Sequence, residues 1–366
     1  MSAVERFRGK SFSFLKLGAL FVATAVYIFV GSVPVSAASN SLGVTPRKDY
    51  TINPGGSISD TLYIDNLSKN SALTVSMRVV DFTAQGQTGS PSLLIAPNAP
   101  QEPYSLKPYL SLPSTVTIQP LASDYVPVSI KIPKNLGAGS HYSAVLYSAN
   151  ISGTAQQVTI AASAATLIFV TVPGKASELL NLVKYGAYVP ATNNSAGSFK
   201  SLYISSQPQE LAYVLNNQGN VAEDPSGSIV IKNEYGKVVT NISQANPNQN
   251  LALIGQTRLF ETCIKTGQKQ VTGGDGQVTI VQQCVSPNLS PGRYTAFLET
   301  LYGINGNTSQ EITATTTFWY LPVWFMAVIA AIIVVIVAII WIVIHILRKR
   351  QKHKKHSHHQ SELGNK

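Results

Sequence analysis

Apolar and polar residues alternate with period two along most of this chain. Thr61-Leu-Tyr-Ile-Asp65, Leu73-Thr-Val-Ser-Met-Arg-Val-Val-Asp-Phe82 and Tyr125-Val-Pro-Val-Ser-Ile-Lys-Ile132 each place every second residue on one face, and all are rich in β-branched and aromatic side chains. Gly, Pro and Asn punctuate them, as at Asn53-Pro-Gly-Gly56 and Asn66-Leu-Ser-Lys-Asn70. His141-Tyr-Ser-Ala-Val-Leu-Tyr147 and a last strand or strand pair within Gln157–Val172 complete about seven short strands, which predicts a β-sandwich over 39–173. The pattern then repeats. Leu179–Val189, Phe199–Ser205, Glu210–Asn217, Ser228–Lys232, Lys237–Ile242, Thr295–Tyr302 and Thr313–Phe318 predict a second β-sandwich over 174–318.

Alternation ends at Leu321–Leu347, roughly 27 residues without Asp, Glu, Lys or Arg. That length spans a bilayer core of about 30 Å as a tilted helix. A single segment can satisfy its backbone in hydrocarbon only as a helix. With Trp319, Tyr320 and Trp324 suited to the interface, the spanning helix is placed at 319–347 and the lipid bilayer becomes an expected partner. The fold class expected is therefore all-β: two immunoglobulin-like sandwiches followed by one transmembrane α-helix.

The formal charge of +10 at first suggests nucleic acid. Its distribution removes that reading. Residues 1–38 carry four Lys/Arg against one Glu, and 348–366 carry seven against one Glu, leaving +1 for everything between. The basic residues flank membrane segments, where they set orientation. Arg348-Lys349-Arg350 places the tail 348–366 inside the cell and the bulk outside. The start agrees: a basic stretch, the apolar run Leu17–Val30 and small residues at 33–39 read as a signal peptide over 1–38, ending at Ala37 or Ala38. An uncleaved anchor is the alternative, and it gives the same topology.

In order along the chain come Val44-Thr-Pro46, Asn53-Pro-Gly55, Asp65-Asn66, Val80-Asp81-Phe82, Ile118-Gln-Pro120, Ile130-Lys-Ile-Pro133 and Gly139-Ser-His-Tyr142. The second half supplies Asn217, Gly219-Asn220, Pro225, Gly227, Gly236-Lys237 and Pro291-Gly-Arg-Tyr294. This order and spacing resembles the WxL-interacting proteins of Gram-positive surfaces and, more distantly, pilus-chaperone-like sandwiches. The resemblance implies that the first domain holds peptidoglycan and the second a WxL surface protein, with a membrane helix and basic tail following.

The insert between Cys263 and Cys284 departs from that family's pattern. These are the only cysteines, and in an exported chain a single pair reads as a disulfide. A two-residue turn at Gly273-Gly274 would set the two cysteines opposite each other across a hairpin. Such a bond contributes roughly 3 kcal/mol in the chain-entropy model.

Chemistry is otherwise sparse. No G-x-S-x-G, H-E-x-x-H or phosphate-cradling loop occurs. His141, the only histidine in the exported region, reads as structural, and Asp65 and Asp81 read as turn caps. Triplets such as Asn150-Ile-Ser152 fit the glycosylation pattern by chance in an Asn/Ser-rich chain, and the tail histidines 353–359 read as part of a solvated basic tail. No catalytic or metal-binding residues and no cofactor are expected, and the ligand-binding residues stay unassigned. The function expected is non-catalytic: adhesion or scaffolding through a cell-wall polymer, a surface protein, or both. The alternative is an accessory or sensory subunit of a membrane complex.

Overall fold

The computed structural model describes residues 42–363 apart from 97, 152–161, 273–277 and 304–308. The expected signal peptide, the Gly273-Gly274 turn and the side chains of the tail beyond residue 349 lie outside the described residues.

The first sandwich contains β1 (Leu42–Val44), β2 (Arg47–Thr51), β3 (Ser57–Asn66), β4 (Leu73–Val80), β5 (Phe82–Gln85), β6 (Ser90–Leu93), β7 (Leu110–Ser111), β8 (Thr115–Ile118), β9 (Ser123–Lys131), β10 (Gly139–Ile151) and β11 (Ala162–Val172). Four strands form one sheet in the order β1-β3-β9-β7, and five form the other as β2-β11-β10-β4-β8. The hairpin β5-β6 stands apart. Alternation on β3 and β9 buries Leu62, Ile64, Val126, Val128 and Ile130 against the facing sheet. Pro127 interrupts β9 where β7 no longer covers its edge, since β7 pairs only with Ile130 and Ser129.

The second sandwich contains β12 (Leu180–Val189), β13 (Ser198–Phe199), β14 (Leu202–Tyr203), β15 (Glu210–Asn217), β16 (Ser226–Asn233), β17 (Val238–Ile242), β18 (Thr257–Cys263), β19 (Thr266–Thr272), β20 (Val278–Cys284), β21 (Gly292–Tyr302) and β22 (Gln310–Tyr320). Its sheets run β13-β12-β15-β18 and β14-β22-β21-β16-β17. The plan of the first sandwich recurs: four strands face five, and the five-stranded sheet is edged by a short parallel strand, β2 on β11 and β14 on β22. The other pairings between these strands, among the described residues, are antiparallel, the arrangement of immunoglobulin-like domains whose first strand changes sheets. The core stacks Tyr213 on Phe260 at 5.0 Å and Tyr294 on Phe318 at 5.6 Å.

Both sandwiches close one strand end with the same device. Asn66, at the end of β3, donates to the carbonyls of Ser71, Ile118 and Gln119 and accepts from the Ser68 amide. Asn217, at the end of β15, donates to Val221 and Ala252 and accepts from the Gly219 amide. Each is fully buried, and each side chain satisfies loop backbone that would otherwise lose its hydrogen bonds.

The chain passes from β22 into α1 (Val323–Leu363) through Leu321 and Pro322 alone. Trp319 and Tyr320 are strand residues, paired with Arg293 and Gly292, so the helix begins four residues later than the sequence suggests. Pro322 sits at its start, where a missing N–H costs nothing. Over Val323–Lys349 the helix is long and apolar enough to cross a membrane, and none of its most apolar stretch is buried among the described residues. The helix continues through Leu363 into the basic tail.

The cysteine hairpin corrects one expectation and leaves the bond standing. Cys263 and Cys284 are disulfide-bonded with Cα atoms 5.0 Å apart. They do not face each other across the ribbon: Cys284 pairs with Thr266, and the ladder runs to Thr272 opposite Val278. The register pairs residues three positions further along than a turn centred on Gly273-Gly274 would require. Cys263 belongs to β18 and pairs with Glu210. The chain bends at Ile264 and Lys265, where the Val285 amide donates to the Lys265 carbonyl, and the bond clamps that corner.

Candidate functional site

The centre of the first sandwich's five-stranded sheet, at β10 and β11, is buried on both faces. Along β10, Val145, Tyr147 and Ala149 point into that sandwich's own core, while Tyr142, Ala144 and Leu146 point the other way. On β11, Ile168, Val170 and Val172 face inward and Phe169 outward. The outward set, with Val80 and Phe82, packs on Ala222, Leu251 and Leu253 of the second sandwich. Phe82, Tyr104, Tyr142 and Phe169 form an aromatic cluster with centroids 4.3–5.8 Å apart. Polar contacts complete the seam: Ser140 N donates to Asn220 O at 2.9 Å, Leu259 N to Gln87 O at 2.8 Å, and Ala222 N to Ser140 Oγ at 2.9 Å.

Beside this seam opens a cleft of about 400 Å³, walled by Phe82, Phe169, Leu251 and Leu253 and edged by Arg47, Ser90, Asn248 and Arg258. The two cations differ. Arg47, on β2, places Nε and Nη2 on Asp49 Oδ1 at 2.9 and 2.7 Å, reaches the Gln249 carbonyl at 3.3 Å and lies 5.1 Å from the Phe169 ring. Arg258, on β18, has no acidic partner among the described residues. Its Nη1 donates to the Leu251 carbonyl at 2.6 Å, its Nε is buried without a partner, and its guanidinium lies 5.7 Å from Phe260. Burial pushes its pKa down. An arginine stays charged through any such shift, so the site carries an uncompensated positive charge. The β5-β6 hairpin lies against it at Gly89, whose φ of +72° favours glycine and where an added Cβ would meet the guanidinium. On the far side of Arg47, Asp224 has its pKa raised, mainly by burial, with Arg47 opposing. A half-buried, forked, unpaired guanidinium next to aromatic rings can take a carboxylate or another oxyanion together with an adjoining apolar group.

The residues singled out from the sequence lie elsewhere. His141 is buried, with Nε2 3.1 Å from the Gly137 carbonyl. Asp65 and Asp81 are not brought together. Asp65 accepts from Ser123 Oγ, while buried Asp81 accepts from Ser105 Oγ at 2.6 Å, Ser143 Oγ at 2.8 Å and the Glu102 amide at 3.3 Å. The disulfide borders a separate groove with Glu210 and Glu261, where burial raises the pKa of both carboxylates. No set of three or more His, Cys, Asp or Glu placed to hold a metal occurs among the described residues. Arg258 escaped the sequence because nothing in Thr257-Arg-Leu-Phe-Glu261 marks its arginine off from one on any strand with a wet face. The cleft around it is closed in part by Phe82, Ser90 and Phe169 of the other sandwich.

No protein-family model matches the chain, and no curated protein matches it by sequence. Among solved structures, the Salmonella enterica SafA pilin–SafB chaperone complex is similar at 8% identity and a TM-score of 0.33, covering 76% of this chain and 99% of that one. The E. coli chaperone DraB is similar at 11% identity and a TM-score of 0.32, covering 67% and 98%. Likeness this distant says nothing about function.

Proposed function

We propose that the chain is a non-catalytic, membrane-anchored bacterial surface protein that binds a cell-wall polymer, a partner surface protein, or both, through the cleft between its sandwiches. The observation that carries this reading is Arg258: a desolvated cation with no anion, beside an apolar wall. Wall stem peptides and polypeptides both offer carboxylates next to apolar groups, so both fit its chemistry. The helix holds the site near the membrane and raises the effective concentration of wall or surface partners. In this reading the sandwiches stand outside and the Arg348-Lys349 flank inside. The resemblance to WxL-interacting proteins supports the choice of partners.

The test uses the full chain in nanodiscs. Wild type is co-sedimented with purified cell wall, and separately titrated with purified surface proteins. Arg258→Gln keeps a donor for the Leu251 carbonyl while removing the charge. Retention by either material, weakened at least tenfold in the variant, is the expected result. Wild type that binds neither, or a folded variant that binds equally well, refutes the reading.

A further inference from the structure

We propose that Glu178, Glu223 and Thr300 form a site for a hard divalent cation of the calcium class at the hinge between the two sandwiches. Glu178 belongs to the segment joining β11 to β12 and is 7% exposed, yet neither of its carboxylate oxygens has a partner. Glu223, in the β15–β16 connection, is 1% exposed. Its Oε2 accepts from the Gly303 amide at 3.1 Å, and its Oε1 has no partner. No lysine or arginine pairs with either: the ion pairs among the described residues are Arg47–Asp49 and Lys48–Asp60. Two buried carboxylates without a counter-charge are among the costliest arrangements a fold can keep.

Thr300 is an independent pointer. It lies on the inward face of β21 with Leu298 and Tyr302, is fully buried, and its hydroxyl has no partner. The same strand end is tied to both acids. Tyr302 donates its hydroxyl to Gln310 Oε1 at 2.8 Å, Gln310 Nε2 donates to the Glu178 carbonyl at 3.0 Å, and Gly303 follows directly with its amide on Glu223. Glu223 is fixed from behind by reciprocal backbone bonds with Ala252 at 3.0 and 2.8 Å. Three carboxylate oxygens and a hydroxyl, all without partners, thus lie on a linker, a loop and a strand end that hydrogen bonds tie together. Calcium takes six to eight oxygens in flexible geometry, and waters would complete the set. An ion here would tie Glu178, the residue that leads into the second sandwich, to that sandwich's own framework. The hinge angle, and with it the cleft beyond, would then depend on the cation. This site does not depend on what the cleft binds.

The experiment uses the full-length chain in zwitterionic detergent, stripped with chelator. Saturating calcium should raise Tm by roughly 5–10 °C at a hundredfold excess over Kd. Terbium, a luminescent calcium substitute, should bind one ion per chain and be excited through the nearby tyrosines. Glu178→Gln combined with Glu223→Gln should abolish both signals, and Thr300→Val should weaken calcium binding roughly tenfold. Should the double variant fail to fold, equilibrium dialysis of wild type with calcium decides: one tightly held ion supports the site and none overturns it. Signals that survive the double variant, or a Thr300→Val affinity equal to wild type, also overturn it.

Discussion

Replacing Glu223 with Gln should change how stability depends on pH, in a direction fixed by the carboxylate's surroundings. Burial raises its pKa from 4.5 to about 7, with the charges of Glu178 and Asp224 adding and the Gly303 amide opposing. The folded chain therefore holds this proton more tightly than the unfolded chain does. Stability from this group is complete below about pH 4.5, falls as pH rises through 4.5–7, and is gone above it. Each pKa unit corresponds to about 1.4 kcal/mol, so the loss reaches about 3 kcal/mol by pH 8. For a domain of about 150–250 residues that is roughly 6–12 °C in Tm. The glutamine side chain keeps an oxygen for the Gly303 amide and cannot ionise. In chelator-treated buffer the two proteins should melt within a degree or two at pH 4.5, and the Glu223→Gln variant should melt higher at pH 8 by the amount above. Differential scanning calorimetry in detergent from pH 4.5 to 8 reads this out. The comparison isolates Glu223, because Glu210, Glu261 and Asp224, also raised, titrate in both proteins. Parallel pH profiles for the two would refute the reasoning. Saturating calcium at pH 8 should reverse the order, if the cation site stands.

Asn217→Ala and Asn66→Ala should each cost about 2–4 kcal/mol, read as a fall in Tm, because each strands buried loop backbone; a loss under about 0.5 kcal/mol in either would contradict the shared role. Reducing Cys263–Cys284 should expose the β19-β20 ribbon to protease while Tm falls by only a few degrees, since both ribbon strands lie outside the core cluster; global unfolding on reduction would contradict it. Protease added to wall-stripped cells should digest the sandwiches and spare a tag placed after Lys366, and loss of the tag would reverse the proposed topology.

The strands were legible in the sequence because period two survives wherever one face is wet, as on β3, β9 and β21. The long apolar helix was legible from its length and the absence of charge. Its start was misplaced because Trp319 and Tyr320 suit a membrane interface and a strand end equally well, and only pairing with Arg293 and Gly292 distinguishes them. The hairpin register failed for a related reason. Gly-Gly is a strong local turn signal, but here Cys284 pairs with Thr266 and not with Cys263, and the bend at Ile264–Lys265 brings the sulfurs together without opposed cysteines. A disulfide constrains the distance between two residues and leaves open which strand each belongs to.

The seam between the sandwiches had a sequence signature that period-two reading passes over. Tyr142-Ser-Ala-Val-Leu-Tyr147 and Leu167-Ile-Phe-Val-Thr-Val172 are apolar at nearly every position, where a sheet with one wet face would alternate. Continuous apolar strands in an antiparallel sheet imply a second covering layer. Here the layer is the other sandwich, through Ala222, Leu251 and Leu253. The charged residues of the seam carry no comparable signature. Arg258 and Glu261 share one strand and read alike, yet Arg258 lies in the seam while Glu261 lies beside the disulfide groove. Glu178 and Glu223 are 45 positions apart, each in a connection where acids are ordinary. Their cost arises only when folding buries both at the hinge, so the features that point to ligands are those that docking creates.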